Sequence, residues 1–453
     1  MRSQAAQWLA YVLMSISLAA AVLLRGGVYP EQWVWSALGV SVAGILISIP
    51  ASLPDHCRHR SFALWLMVAL LLWMGFQLVP LPLDLVAWLS PERSNAIALA
   101  RSATGQTLTS WTALSVAPGA TMERLLFVVP AMVAFFVARD LCCVWRHRTW
   151  IVVIPVIAVA WLESVLGLVQ FYLLRMAGSE VSSVTGTYVN RNHFAGLLEM
   201  ALPLSVLAAI AIWRKGNTRH TRPAGTALAT VALVGVAACL LFGVVISLSR
   251  MGFVSIVSAG LLTGVILLGS ESRQSDSGRR WRWAIPVALI LLLLLFLPTK
   301  ELLNRFAETA ATEQLTKETR VDIWNDTLHL IAAYKWTGSG LGAYERGLYR
   351  FKTAAPLNMV DFAHNDYLQI IAELGFVGAG LAAALALVIL YRLLSVVLWF
   401  RRGDNWELAV GLLGALLTMG LHSLADFNLY IPANALVLAW LSGAADSPGL
   451  RQG

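Results

Sequence analysis

The sequence predicts an all-α polytopic membrane protein of about twelve transmembrane helices with one large loop on the outer side. Three observations carry this. Of the 453 residues, 58% are hydrophobic and only 13% charged, with a mean hydropathy of +0.70. A soluble domain carries about 25% charged residues. Apolar stretches near the ~20 residues that a bilayer requires recur along the chain, and Lys and Arg collect in alternate loops. The composition excludes an ordinary soluble enzyme, a disordered chain and a disulfide-stapled secreted module. Eighteen Trp and 16 Phe suit many membrane–water interfaces. The net charge of +8 lies in loops between spans, so no nucleic-acid partner is expected.

The predicted spans are Trp8–Leu24, Trp33–Ile49, Phe62–Val79, Glu123–Ala138, Trp150–Tyr172, Phe194–Trp213, Thr226–Leu248, Gly252–Gly269, Trp283–Pro298, Ile370–Leu390, Leu408–Leu424 and Tyr430–Ala445. The first lacks a small-residue cleavage site and is followed at once by more spans, so it reads as a true span rather than a signal peptide. The fourth is the weakest, because Glu123 and Arg124 open it and Pro130 interrupts it. With the N-terminus inside, 18 of the 33 Lys and Arg fall in inner segments, eight in the long loop 299–369, which is left out of the count, and seven in the remaining outer segments. Both termini are therefore expected in the cytoplasm, with the chain divided into spans one to nine (1–298), an outer loop subdomain (299–369) and spans ten to twelve (370–453). Cys57, Cys142, Cys143 and Cys239 have no metal-like spacing and read as core or lipid-side thiols.

Two outer segments are long. Residues 80–122 hold four prolines between short apolar pieces and lie along the interface or dip back into protein. Residues 299–369 alone have the composition of a soluble subdomain. Within them 318–333 reads as a helix, with Arg320 and Trp324 one turn apart, broken afterwards by Gly338, Gly340 and Gly342.

Polar residues at the outer edges of apolar helices need a partner or a function. Asn190-Arg191-Asn192-His193 opens span six; an Asn there caps a helix, which accounts for neither the Arg nor the His. Ser249-Arg250 lies in an outer turn so short that the guanidinium sits at the membrane surface, as an anion ligand or a snorkelling side chain. Arg320 shares a helical face with Trp324. His364-Asn365-Asp366 precedes span ten, and Glu373 lies nine residues on, about 13 Å along a helix. Glu373 thus cannot bond His364 within that helix; an arginine from another helix is its expected partner. Asp361 or Asp366 is expected to orient the imidazole. Arginine forks suit a diphosphate, and a neutral histidine suits removal of a hydroxyl proton. There is no GxxxxGK[ST] loop, no DxD and no HExxH. No metal, nucleotide or other cofactor is expected.

The pieces Thr185-Gly-Thr-Tyr-Val-Asn-Arg191-Asn-His193, Ser249-Arg250-Met-Gly, Arg320-Val-Asp-Ile-Trp324 and His364-Asn-Asp-Tyr-Leu-Gln369-Ile-Ile-Ala-Glu373-Leu-Gly375 resemble the O-antigen ligase and O-antigen polymerase superfamily of bacterial membrane glycosyltransferases. The resemblance implies a metal-independent inverting enzyme of the bacterial inner membrane, working at the periplasmic face. It implies a glycan donor on undecaprenyl diphosphate. The implied acceptor is lipid A-core, another lipid-linked glycan, or a protein hydroxyl. By this likeness His364 and Arg320 are catalytic, His364 as base, and Arg191, His193, Arg250, Asn365 and Glu373 bind substrate. The label is ligase-like, for lipopolysaccharide biosynthesis. The alternatives are a polymerase joining lipid-linked repeat units and, in a different class, a polysaccharide flippase. A flippase would show polar residues along several spans, whereas here they gather at one end.

Overall fold

The computed structural model describes residues 2–48, 57, 61–105, 110–178, 184–218, 224–271, 320–353, 359–400 and 405–451. Its helices are α1 (Arg2–Leu23), α2 (Pro30–Ser48), α3 (Phe62–Phe76), α4 (Leu83–Leu89), α5 (Pro91–Thr104), α6 (Pro118–Val144), α7 (Trp150–Met176), α8 (Arg191–Thr218), α9 (Ala224–Ser247) and α10 (Arg250–Glu271). After these come α11 (320–333), α12 (Tyr344–Leu348), α13 (Asp366–Trp399), α14 (Trp406–His422) and α15 (Pro432–Asp446). The protein is an all-α bundle with several apolar helices of membrane-spanning length. Seven of the described helices are long and apolar enough to cross a membrane: α1, α6, α7, α8, α9, α10 and α13; α3 and α14 are apolar but shorter. The predicted span Trp283–Pro298 lies outside the described residues.

The bundle core joins α1, α6, α7, α8, α14 and α15 through fully buried Met14, Phe135, Leu197, Leu198, Leu204 and Trp440. Other faces carry exposed apolar side chains, such as Leu72, Val231, Leu261 and Leu387. In water such faces would be a liability; against lipid tails they are solvated. Pro130 lies inside α6 without ending it, so the fourth predicted span is one continuous 27-residue helix. A lost backbone hydrogen bond is tolerated where neighbouring helices pack against the site.

The described residues between α3 and α6 hold two short helices and a two-stranded pairing. Leu81–Pro82 pairs antiparallel with Trp111–Thr112 around α4 and α5. This stretch is tied to the later chain, because Val116 N–H donates to Ser339 O at 2.8 Å. Around α11, Ile323, Leu330, Tyr334, Tyr344, Leu348 and Ala363 make a second, smaller core.

One expectation is overturned. Cys57 and Cys143 form a disulfide, while Cys142 and Cys239 are free. The two half-cystines stand 86 positions apart. Spacing along the chain reports local metal or redox patterns, whereas this pair is made by packing between distant segments.

Candidate functional site

The start of α13 is built around a break. Gly375 takes φ 66° and ψ −179°, which opens the helix after its first turns. The carbonyls released there are taken by other segments: Ser339 N–H donates to Ala372 O (2.9 Å), Gly340 N–H to Glu373 O (3.0 Å) and Trp73 Nε1 to Leu374 O (2.9 Å). Gln77 Nε2 reaches both Thr337 O (2.8 Å) and Glu373 O (2.9 Å). The glycine run from Gly338 to Gly342 thus lies along the broken helix. A Cβ on Gly338 would stand 2.2 Å from Glu373 O, so only glycine fits.

Glu373 is buried in this joint. Its Oε2 accepts from Gly342 N–H (2.7 Å) and Tyr430 OH (2.9 Å), and its Oε1 from Gln369 Nε2 (3.2 Å). Arg124 acts on it electrostatically, as expected of an arginine from another helix, but hydrogen bonds fill its coordination. Glu373 therefore stitches the glycine run to α13 and to the segment before α15. Asn365 is the N-cap of α13: its Oδ1 accepts from Leu368 N–H (3.1 Å) and its Nδ2 donates to Leu424 O (3.0 Å). Asp366 is buried, accepting from Ser423 Oγ (2.7 Å) and Leu429 N–H (3.2 Å).

His364 sits immediately before that cap with φ 51°, in the left-handed region. Histidine is one of the few side chains found there with any frequency. Its ring lies edge-on to Phe427, centroids 5.0 Å apart. Phe427 in turn stacks on Phe362 at 4.1 Å. His193 also packs edge-on to the same Phe427 ring, at 4.7 Å. The two histidines singled out in the sequence are thus brought to one aromatic side chain from distant segments.

Asp426 completes the group. Its Oδ1 is 3.7 Å from His193 Nε2, and its Oδ2 is 3.8 Å from His422 Nε2. Burial pushes the carboxyl up, but the His193 and His422 rings outweigh that and hold it well below the usual carboxylate range. His364 moves down from 6.5. Burial is the main cause, Arg320 and His193 add to it, and Asp426 and Asp361 oppose it. Of the two expected orienting groups, Asp361 acts on the imidazole, together with Asp426, whereas Asp366 is committed to Ser423 and Leu429.

Three of the helices that end here bring their N-termini. α8 begins at Arg191, α10 at Arg250 and α13 at Asp366. The starts of α8 and α10 touch, since a Cβ on Gly252 would lie 3.0 Å from that of Ala195. Arg191 and Arg250 lie within one turn of this contact. Arg320 arrives from α11, which is moored to the His364 segment by Trp324 Nε1 donating to Ala363 O at 2.9 Å. The neighbouring turn is held by structural bonds: Thr187 Oγ1 donates to Glu163 (2.6 Å), and Asn190 Oδ1 accepts from Asn192 N–H (2.9 Å). Three helix N-termini and an arginine at or near each of α8, α10 and α11 thus lie on the segments around the histidines, a set of groups whose chemistry suits an anion.

The sequence reading missed Asp426, His422 and Glu199. A signal was present: a carboxylate inside the apolar run Phe194–Trp213 and a His–Asp pair four residues apart ending an apolar helix both violate span composition. Among the described residues no group of three or more His, Cys, Asp or Glu side chains is arranged to hold a metal ion.

No curated protein matches the chain. Residues 235–383 match the family model described as O-antigen ligase, a stretch that contains Arg250, Arg320, His364 and Glu373 but not Arg191, His193 or Asp426. With the arginines, the histidines and the broken helix described above, residues 235–383 are similar to the O-antigen ligase family, a match over about a third of the chain that supports its assignment to the O-antigen ligase and polymerase superfamily.

Proposed function

We propose that this chain transfers glycan from undecaprenyl diphosphate to an acceptor hydroxyl at the periplasmic face of the inner membrane, in the manner of an O-antigen ligase, with lipid A-core as acceptor. The observation that carries this reading is the meeting of His364 and His193 around Asp426 and Phe427, beside an arginine on each of three helices.

In this reading His364, kept neutral by its burial, takes the proton of the acceptor hydroxyl. The hydroxyl oxygen forms a bond to the anomeric carbon as the bond from that carbon to the diphosphate oxygen breaks. Undecaprenyl diphosphate leaves with the bonding pair. Arg191, Arg250 and Arg320, with the helix N-termini, meet the charge that develops on it. A single displacement inverts the anomeric centre and needs no carboxylate nucleophile. Asn365 and Glu373 contribute by holding the His364 segment and the glycine run in place.

The test is transfer by the purified chain in nanodiscs, given an undecaprenyl diphosphate-linked oligosaccharide and lipid A-core, with no nucleotide and with chelator present. Glycosylated lipid A-core and free undecaprenyl diphosphate are expected. A requirement for ATP or a divalent ion would end this mechanism. A deletion strain should retain lipid-linked polymer and lose long chains on lipid A; accumulation of single repeat units would instead make the chain a polymerase.

A further inference from the structure

Asp426 also faces a second buried pair. Glu199 and His422 are both fully buried, and Glu199 Oε1 is 2.6 Å from His422 Nδ1. His422 Nε2 then faces Asp426 Oδ2 at 3.8 Å, and both of those atoms lack a hydrogen-bond partner within the protein. A chain of ionisable side chains thus runs from α8 through the end of α14 to the loop before α15. Neither Glu199 nor His422 has a role in the displacement itself.

Burying a carboxylate is costly unless a cation or donors compensate it. Asp426 is 1% exposed. The charged and titratable groups that act on it are His193 on α8, His422 on α14, His364 before α13 and the carboxyl of Asp366 on α13. His364 has to be neutral to act as a base, so it cannot neutralise Asp426. Asp366 has the wrong sign. His422 faces Asp426 as directly as His193 does and, unlike His193, has a carboxylate in contact with its other ring nitrogen. The His422 ring is the group in ion-pair contact with Glu199, and Asp426 is the other charge that acts on that carboxylate.

We infer that Glu199 and His422 are positioning residues: Glu199 holds His422 as a buried imidazolium, and that imidazolium keeps Asp426 ionised beside the base His364. The inference rests on His364 being the base. The contacts of Asp426 with His193 and His422 lie within the protein, so the pair acts on the charge state of the site rather than on the substrate. Its signature is therefore a change in pH dependence, not only a loss of rate.

The experiment is the transfer assay above across pH 4.5–9 for Glu199→Gln, Glu199→Asp and His422→Gln, each checked for a monodisperse folded fraction. In the parent, Asp426 stays ionised throughout this range, and His364 alone sets the acid limb. Without the charge of Glu199 or His422, Asp426 takes up a proton at a higher pH and the acid limb comes to follow it. In Glu199→Gln the midpoint should move up by at least about one pH unit, with the rate recovering towards the parent on the alkaline side. His422→Gln removes the same positive charge and should shift the limb in the same direction, so it serves if Glu199→Gln does not fold. Glu199→Asp keeps the charge and should stay near the parental midpoint. A uniform loss of rate with an unmoved midpoint in both neutral variants would overturn the inference and leave the pair as packing. If His364→Asn transfers at the parental rate, the base assignment fails and this inference with it. If His364→Asn is inactive while the midpoints do not move, the base assignment stands and this inference alone fails.

Discussion

His364 carries two distinct demands, one on its backbone and one on its ring. Its φ of 51° is a conformation that alanine adopts poorly and asparagine tolerates. His364→Asn therefore separates the two: the fold is expected to survive, while transfer falls by roughly 10²–10⁴-fold as expected for loss of a general base. A pH profile adds the sign. The folded imidazole titrates below 6.5, so the base form persists into mildly acidic solution and is lost only as pH falls through that lowered value. Parental transfer should accordingly keep more than half its maximum at pH 6.5. The arginines answer to a different test. Arg191→Lys, Arg250→Lys and Arg320→Lys each keep the charge and lose the planar fork. Each should lose most transfer at normal expression, measured by donor consumption. Parental rates in all three would reduce them to snorkelling or surface groups.

Among elements, α13 is the one whose irregularity matters. An unbroken helix through Gly375 would keep its carbonyls to itself and leave the glycine run without partners. The break lets α13 and residues 335–342 share hydrogen bonds, with Phe376 N–H donating to Lys335 O at 2.8 Å. It also places Glu373 under Gly342. Gly338→Ala should destabilise the detergent-solubilised protein by roughly 1–3 kcal/mol, from overpacking against Glu373 O and strain at φ 70°. A thermal unfolding curve reads this as a lowered midpoint; an unchanged midpoint would mean that the joint gives way without cost. α11 shows how an element reaches the site from outside the bundle. Its Trp324 is anchored on Ala363, next to His364, and Arg320 one turn earlier is carried to the same place.

For the whole molecule the open quantity is which end faces which compartment. The excess of Lys and Arg in alternate loops predicts a cytoplasmic reporter signal after Arg222 and after Arg282, and a periplasmic one near Gly342. A cytoplasmic signal at Gly342 would invert the topology and remove the proposed donor. The Cys57–Cys143 disulfide is the feature that pulls the other way. The charge bias puts both residues on the cytoplasmic side, where disulfides are rare. The redox state of the pair in the native membrane decides this at the same positions. Alkylation of the denatured protein before and after reduction reads the pair: labelling of both only after reductant is expected from the disulfide, and labelling without reductant from the cytoplasmic side that the charge bias predicts.

The sequence by itself determined the class of the protein, because spans are written in local composition: a run of apolar residues is a span whatever its neighbours are. It also marked Arg191, His193, Arg250, Arg320 and His364, since a charge or imidazole at the edge of an apolar helix is conspicuous without a structure. It did not separate the roles of Asn365 and Glu373 from theirs, because a cap and a buried acceptor look like ligands until their partners are known. What only the tertiary structure decided was pairing. Asp426, His422 and Glu199 lie far from His364 along the chain, and nothing local announces that they meet behind it. The same holds for Cys57 with Cys143 and for Gly375 with Gly338. The physical reason is common to all of them. The hydrophobic pattern specifies that a helix is buried or lipid-facing, a property of one segment. A buried charge or an opened carbonyl is tolerable only through a particular partner, and that partner comes from another segment brought alongside by packing.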